Sequence, residues 1–208
     1  RFLGAQAVSH QRVAEQCACE GPQGRGFRDF LICARRVREA VLGNLHRRFT
    51  EADRDGNGLI SAKELVGLIS GLGMTLVHAE VQEILADSGC SEPLDFEALA
   101  RFVATGSERA GFTHGEVAEL REVFLRFDYN CSGDIDQIEL LDMMRHLGHV
   151  TRLEDVHGLI KAMDVNEDGL LDFGEFLRLM RFHRENELQA MRRAFDANAD
   201  PQTFRLHP

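Results

Sequence analysis

The 208-residue chain has no tryptophan, one tyrosine and four prolines, and only two of its 24 basic residues are lysines, Lys63 and Lys161. With so few prolines, little interrupts helix formation, and a mostly helical chain is expected. Long apolar runs are also missing. The most apolar stretch, Leu65 to Val77, is 13 residues long and holds three glycines, too short to span a bilayer. The cysteines Cys17, Cys19, Cys33, Cys90 and Cys131 are odd in number, irregularly spaced and contain no C-x-x-C pair. That pattern argues against a disulfide framework and for reduced thiols, in the cytoplasm or another reducing intracellular compartment. No positive surplus exists: 34 acidic residues leave a formal net charge of −10, which argues against binding a nucleic-acid backbone. No G-x-S-x-G, phosphate loop, dinucleotide fingerprint or Cys/His cluster occurs, so no enzyme is expected.

The charge is unevenly placed. Residues 1–52 carry nine arginines and five acids, so a mildly basic head precedes a strongly acidic body. Arg35, Arg36, Arg38, Arg47 and Arg48 fall on one predicted helix. Such a helix is usually a solvated face, and the head is the one part suited to touching an anionic membrane or an acidic partner.

What the chain does contain is an internal repeat. Asp53 to Glu64 recurs in residue type at Asp128 to Glu139, an offset of 75 that also carries Leu72-Gly73 onto Leu147-Gly148. Beyond Leu85 the offset becomes 77, so the first half has lost two residues before Leu94. Each half reads as helix, polar loop, helix. Leu42, Leu45, Phe49 and Ala52 share their 3, 4, 3 spacing with Val117, Leu120, Phe124 and Phe127, one face of a helix in each case.

Three loops fit D-x-[DN]-x-[DNS]-G-x5-E. The first offers side-chain oxygens from Asp53, Asp55, Asn57, Ser61 and Glu64, with the carbonyl of Leu59 at position 7. The next offers Asp128, Asn130, Ser132, Asp136 and Glu139, with the carbonyl of Asp134. The last offers Asp164, Asn166, Asp168, Asp172 and Glu175, with the carbonyl of Leu170. Ca²⁺ is a hard cation that takes six to eight oxygens, and short polar side chains at alternate positions of a tight turn converge on one point. Glycine at position 6 (Gly58, Gly133, Gly169) permits the bend, and the glutamate at position 12 reaches back with both oxygens. Three Ca²⁺ sites are expected. Position 8 is aliphatic each time, Ile60, Ile135 and Leu171, which suits pairing of loops by a short antiparallel bridge.

On these residues the chain resembles the EF-hand family, calmodulin and troponin C in particular, over roughly residues 40–182. The resemblance implies an all-α fold of paired hands in two lobes, with short antiparallel β bridges between paired loops. It implies Ca²⁺ sensing by lobe opening, and a groove for a partner helix lined by Met143, Met144, Met163 and Met180; ordinary core packing is the other reading of those methionines.

The second hand departs from the family. Counted back from Leu94, its position 1 is Asp87 and its position 12 is Ala98; counted forward, position 1 is Gly89. Either way it lacks both the glycine and the glutamate, and no ion is expected there. The organisation read from sequence is an Arg-rich head at 1–39, which includes a vestigial half-hand, a lobe at 40–104, a linker at 105–113, a lobe at 114–182, and a C-terminal helix with another vestigial half-hand at 183–208. The half-hands are suggested by a match at offset 146, in which Phe27-Arg28-Asp29-Phe30-Leu31 resembles Phe173-Gly174-Glu175-Phe176-Leu177, and Leu42 and Phe49 align with Leu188 and Phe195. Three roles fit: a calcium sensor with a helical protein partner, a structural subunit of a larger assembly, or the regulatory module of a Ca²⁺-controlled enzyme.

Overall fold

The computed structural model describes residues 27–148 and 152–198. They form eight helices: α1 Phe27–Ala52, α2 Ala62–Gly71, α3 His78–Asp87, α4 Phe96–Glu108, α5 His114–Phe127, α6 Gln137–His146, α7 Leu153–Met163 and α8 Phe173–Asn198. Consecutive pairs are the four hands. The described part of the Arg-rich segment, from Phe27 on, is one continuous helix with the first hand's entering helix, because α1 crosses the boundary read at residue 39. Cys17 and Cys19, and residues 199–208 of the C-terminal half-hand, lie outside the described residues.

Each lobe is closed by the bridge its aliphatic position 8 predicts. Ile60 and Leu94 exchange two main-chain hydrogen bonds (2.7 and 2.9 Å), as do Ile135 and Leu171 (2.9 and 3.0 Å). All four side chains are fully buried; each contributes about 1.5–3 kcal/mol by leaving water. The bridge also sets the register of the shortened hand. Leu94 stands at position 8, so Asp95 stands at position 9 and Asp87 at position 1.

Around the bridges lie two apolar cores. One gathers Leu45 and Phe49 of α1 with Leu65, Leu68, Ile69, Ile84, Leu99 and Phe102. The other gathers Phe124, Phe127, Leu140, Met143, Ile160 and Phe176. In both, a phenylalanine of the lobe's first helix meets a phenylalanine of its last. Phe49 lies edge-on to Phe96 at 5.7 Å, and Phe124 to Phe173 and Phe176 at 5.4 and 5.3 Å.

The segment expected as a linker is not free. Residues 105–108 finish α4, and Ala110 and Phe112 are buried against Leu177 of α8. Between the lobes sits Arg181, whose side chain is fully buried. Its Nε donates to the Ala110 carbonyl (2.8 Å), its Nη2 to Glu80 of α3 (2.9 Å), and its guanidinium covers the Phe112 ring at 4.3 Å. Arg184 bonds both Glu80 (3.2 Å) and Glu116 (2.7 Å), and Glu185 accepts from the amide and hydroxyl of Thr75. Gly111 must be glycine here. Its φ is +77°, and a Cβ would lie 2.8 Å from Leu76 and 3.0 Å from Arg181.

Removing one partner of a buried ion pair leaves the other charge stranded, at a cost of about 3–5 kcal/mol. Arg181→Met should therefore destabilise the protein near the lower end of that range, since Arg184 still reaches Glu80. Chemical denaturation followed by circular dichroism measures it; an unchanged midpoint would show that the junction adds nothing.

Candidate metal centre

The three intact loops are built the same way from the same local bonds. In each, the aspartate at position 1 accepts from the amide of the position-6 glycine: Asp53 from Gly58 (2.9 Å), Asp128 from Gly133 (2.9 Å) and Asp164 from Gly169 (2.8 Å). Position 3 accepts from the amide at position 5. Asp55 bonds Asn57 (3.2 Å), Asn130 bonds Ser132 (2.8 Å) and Asn166 bonds Asp168 (3.1 Å). Position 5 accepts from the amide at position 7, in the order Asn57 to Leu59, Ser132 to Asp134 and Asp168 to Leu170. These turns aim successive oxygens at the loop interior. The glycines have φ of +76°, +90° and +81°, where a Cβ would strain the chain. In the loop of the third hand, Asp128–Glu139, the Ser132 hydroxyl also donates to the Asp134 carbonyl (2.9 Å), so the oxygens of positions 5 and 7 lie together.

Positions 9 and 12 belong to the loop and to the helix that follows. Ser61, Asp136 and Asp172 stand just before α2, α6 and α8, at the cap position. Asp136 and Asp172 accept from the amides of Glu139 (2.9 Å) and Glu175 (2.8 Å). In return one oxygen of each glutamate accepts from the cap residue's amide, at 3.0 Å in all three loops. In the two loops of the second lobe this is a reciprocal capping box; in the first, the Ser61 hydroxyl instead donates to Glu64 (2.7 Å). The other oxygen crosses the loop to the amide at position 2: Glu64 to Arg54 (3.1 Å), Glu139 to Tyr129 (2.9 Å) and Glu175 to Val165 (2.7 Å). In the first loop, carboxylate oxygens of Asp53, Asp55 and Glu64 all lie within 4.8 Å of one another. Carboxylates, amides, a hydroxyl and main-chain carbonyls make an all-oxygen donor set, which fits a hard cation of the Ca²⁺ type.

The second hand keeps half of this design. Asp95 caps α4 by accepting from Ala98 (2.7 Å), but Ala98 has no carboxylate to return. Its position-1 residue is engaged elsewhere. Asp87 ends α3 and pairs with Arg109, which also donates to Glu83 (2.7 Å). His114 Nε2 lies 3.1 Å from the same Asp87 carboxylate. Glu83, Asp87 and His114 thus form a compact cluster whose counter-cation is the Arg109 guanidinium. Nothing in the loop pattern pointed to Arg109, since it comes from the segment read as linker.

The methionines read as groove-lining are inside. Met143, Met144 and Met163 are buried and Met180 is half-buried, all packed in the second core. His146 and His157 are exposed.

A family model described as an EF-hand domain pair matches residues 117–181, and one described as an EF hand matches residues 45–69. The troponin C isoform 2A of Homarus americanus is 30% identical over 148 residues, covering 68% of this chain and 95% of that protein. Calmodulin-like protein 2 of Arabidopsis thaliana is 30% identical over 146 residues, covering 67% and 91%. Polcalcin Cup a 4 of Hesperocyparis arizonica is 28% identical over 146 residues, covering 70% and 85%. The chain belongs to the EF-hand family, as a calmodulin-like calcium-binding protein.

Hydrogen bonds from the Ser61 hydroxyl, then from the Ser61 and Arg54 amides, hold the Glu64 carboxyl below its ordinary value of 4.5. A depressed carboxylate contributes fully above that value, and its contribution is lost as pH falls through the folded-state value. Carboxyl NMR titration should give a Glu64 midpoint below 4.5 that moves upward in Ser61→Ala. Coincident midpoints in the two proteins would remove the hydroxyl's role.

Proposed function

We propose that this protein is a Ca²⁺ sensor with three ion sites, at Asp53–Glu64, Asp128–Glu139 and Asp164–Glu175, and none in the second hand. The observation that carries this reading is the state of the position-12 glutamates. Each is held by donors of its own loop alone, the amides at positions 2 and 9 in every case, with the Ser61 hydroxyl added at Glu64 and the Asn130 amide at Glu139. An ion bound by both oxygens would compete with the amide at position 2. Because the glutamate is the third residue of the exit helix, drawing it inward turns that helix. Turning α6 and α8 would uncover Met143, Met144, Met163 and Met180, whose flexible thioethers suit an apolar partner helix. The free Cys90 and Cys131 support a reducing intracellular setting. The similarity to a troponin C and to a calmodulin-like protein supports a non-enzymatic role.

The interlobe bonds favour a second reading. Arg181, Glu80 and Glu185 fasten the lobes through buried charges, a construction that suits a structural subunit of a larger assembly in which Ca²⁺ serves as a folding ion. Exposure of apolar surface separates the two readings.

Ca²⁺ titration by calorimetry should give three ions per chain. Glu64→Gln, Glu139→Gln and Glu175→Gln should each weaken one site at least about tenfold, or about 1.4 kcal/mol. The fourth loop, with acids at positions 1, 5, 9 and 12, should bind most tightly, because ligand charge tightens such sites. A hydrophobic dye should report new apolar surface on adding Ca²⁺. Three bound ions with no dye response would sink the sensor reading and leave the structural one.

A further inference from the structure

The two lobes differ in how their helices are tied. In the first hand Arg48 of α1 reaches across to α2. Its Nη1 donates to the carbonyl of Gly71, the last residue of that helix (2.9 Å), and its Nε is shut away from solvent. The bond serves a helix-end carbonyl that has no partner within the helix. In the second hand Arg109, at the end of α4, reaches back to α3 and donates to Glu83 (2.7 Å) and to Asp87. Its side chain is 12% exposed, and charge-assisted bonds of this kind are among the stronger ones. In each hand of the first lobe, then, an arginine bonds the entering helix to the far end of the exit helix. The second lobe has the residues for neither bond. At the offset of 75, Arg48 falls on Val123 and Glu83 on Gly158; at the offset of 77, Arg109 falls on Asn186.

We propose that Arg48 and Arg109 are clamps that keep the first lobe shut when its ion site fills, so that opening is confined to the second lobe. This rests on the sensor reading and divides it between the lobes. An ion at Asp53–Glu64 fastens the fold, whereas ions at Asp128–Glu139 and Asp164–Glu175 uncover apolar surface. The reason is leverage. α2 has 10 residues. A helix of that length is about 15 Å long, and a sensor hand opens by about 40°, so pivoting at the loop carries the far end about 10 Å. Neither clamp survives such a displacement, and α4, with 13 residues, swings Arg109 farther still. In the second lobe the same motion meets no counterpart of either bond.

Methyl-labelled methionine in the full chain reads the two lobes separately. Met74 is buried in the first core, and Met143, Met144 and Met163 in the second. With NMR and a soluble gadolinium chelate, Ca²⁺ should raise the relaxation of the second-lobe methyls and leave Met74 protected, while the Gly58 amide shift reports a filled first site. Arg48→Val/Arg109→Asn installs the second lobe's residues. In it Met74 should be protected before Ca²⁺ and relax at least about threefold faster after, and the first site should tighten by a similar factor, since the ion no longer works against the clamps. Arg48→Val alone keeps the Arg109 pair; wild-type helicity with a smaller rise at Met74 separates release of the lobe from loss of its fold. Exposure of Met74 by Ca²⁺ in the wild type would overturn the proposal, as would its continued protection in the double variant. The sensor reading is judged on the other methyls. If Met143, Met144 and Met163 stay protected while the double variant exposes Met74, the sensor reading fails and the clamps stand.

Discussion

The structure depends on the glutamate at position 12 being a loop residue and a helix residue at once. Glu64, Glu139 and Glu175 each accept from the amide of the residue that caps α2, α6 or α8, and their other oxygens span the loops. Helix direction and loop closure are therefore set by the same carboxylate. Any cation that competes for those oxygens acts on the helix without an intermediary. The second hand shows the dependence by omission. With alanine at position 12 its helix is still capped by Asp95, but no carboxylate links the loop's two ends, which are joined only by the weak Cys90 thiol contacts to the Ser88 and Ala98 carbonyls, and its first aspartate has been recruited by Arg109.

A second constraint is imposed on top of the first. The bridges Ile60–Leu94 and Ile135–Leu171 make each lobe a unit, while Arg181 makes the two lobes one object. Burying a guanidinium costs much in desolvation, and only several simultaneous partners offset it. Here the partners are a carbonyl in the interlobe segment, Glu80 of the first lobe and the Phe112 ring. Because Arg181 follows Glu175 on the same helix, less than two turns away, reorientation of α8 by the fourth loop cannot leave the junction untouched. The sensor and structural readings thus meet at one residue. The strength of its pairing against the pull of the fourth site decides between them.

Much of the site was legible in sequence. Alternating oxygen donors, a glycine at position 6 and a glutamate at position 12 constrain local geometry within twelve residues, and local hydrogen bonds realise it. The aliphatic position 8 was legible for the same reason, because it must pair with its equivalent in a neighbouring loop. The segment at 105–113 was not. Gly106, Ser107 and Gly111 have the composition of a linker, yet Gly111 is there because Leu76 and Arg181 crowd it, a fact about residues distant in the chain. Arg109 was missed similarly, since an isolated arginine beside a glycine carries no pattern.

The pair Arg35–Glu39 and its copy Arg181–Glu185 divide what sequence determines from what tertiary structure decides. Both are arginine and glutamate four apart on the same turn of equivalent 26-residue helices, and sequence alone sets that much: the helix, the face and the ion-pair spacing. Arg35 stays 80% exposed and bonds its own helix neighbour at 2.8 Å, a pairing worth little in water. Arg181 is wholly buried and holds two lobes together. The difference comes from what packs against each helix, Ala110, Phe112 and Glu80 in one case and solvent in the other. Burial depends on the whole fold, so identical local patterns acquire opposite roles.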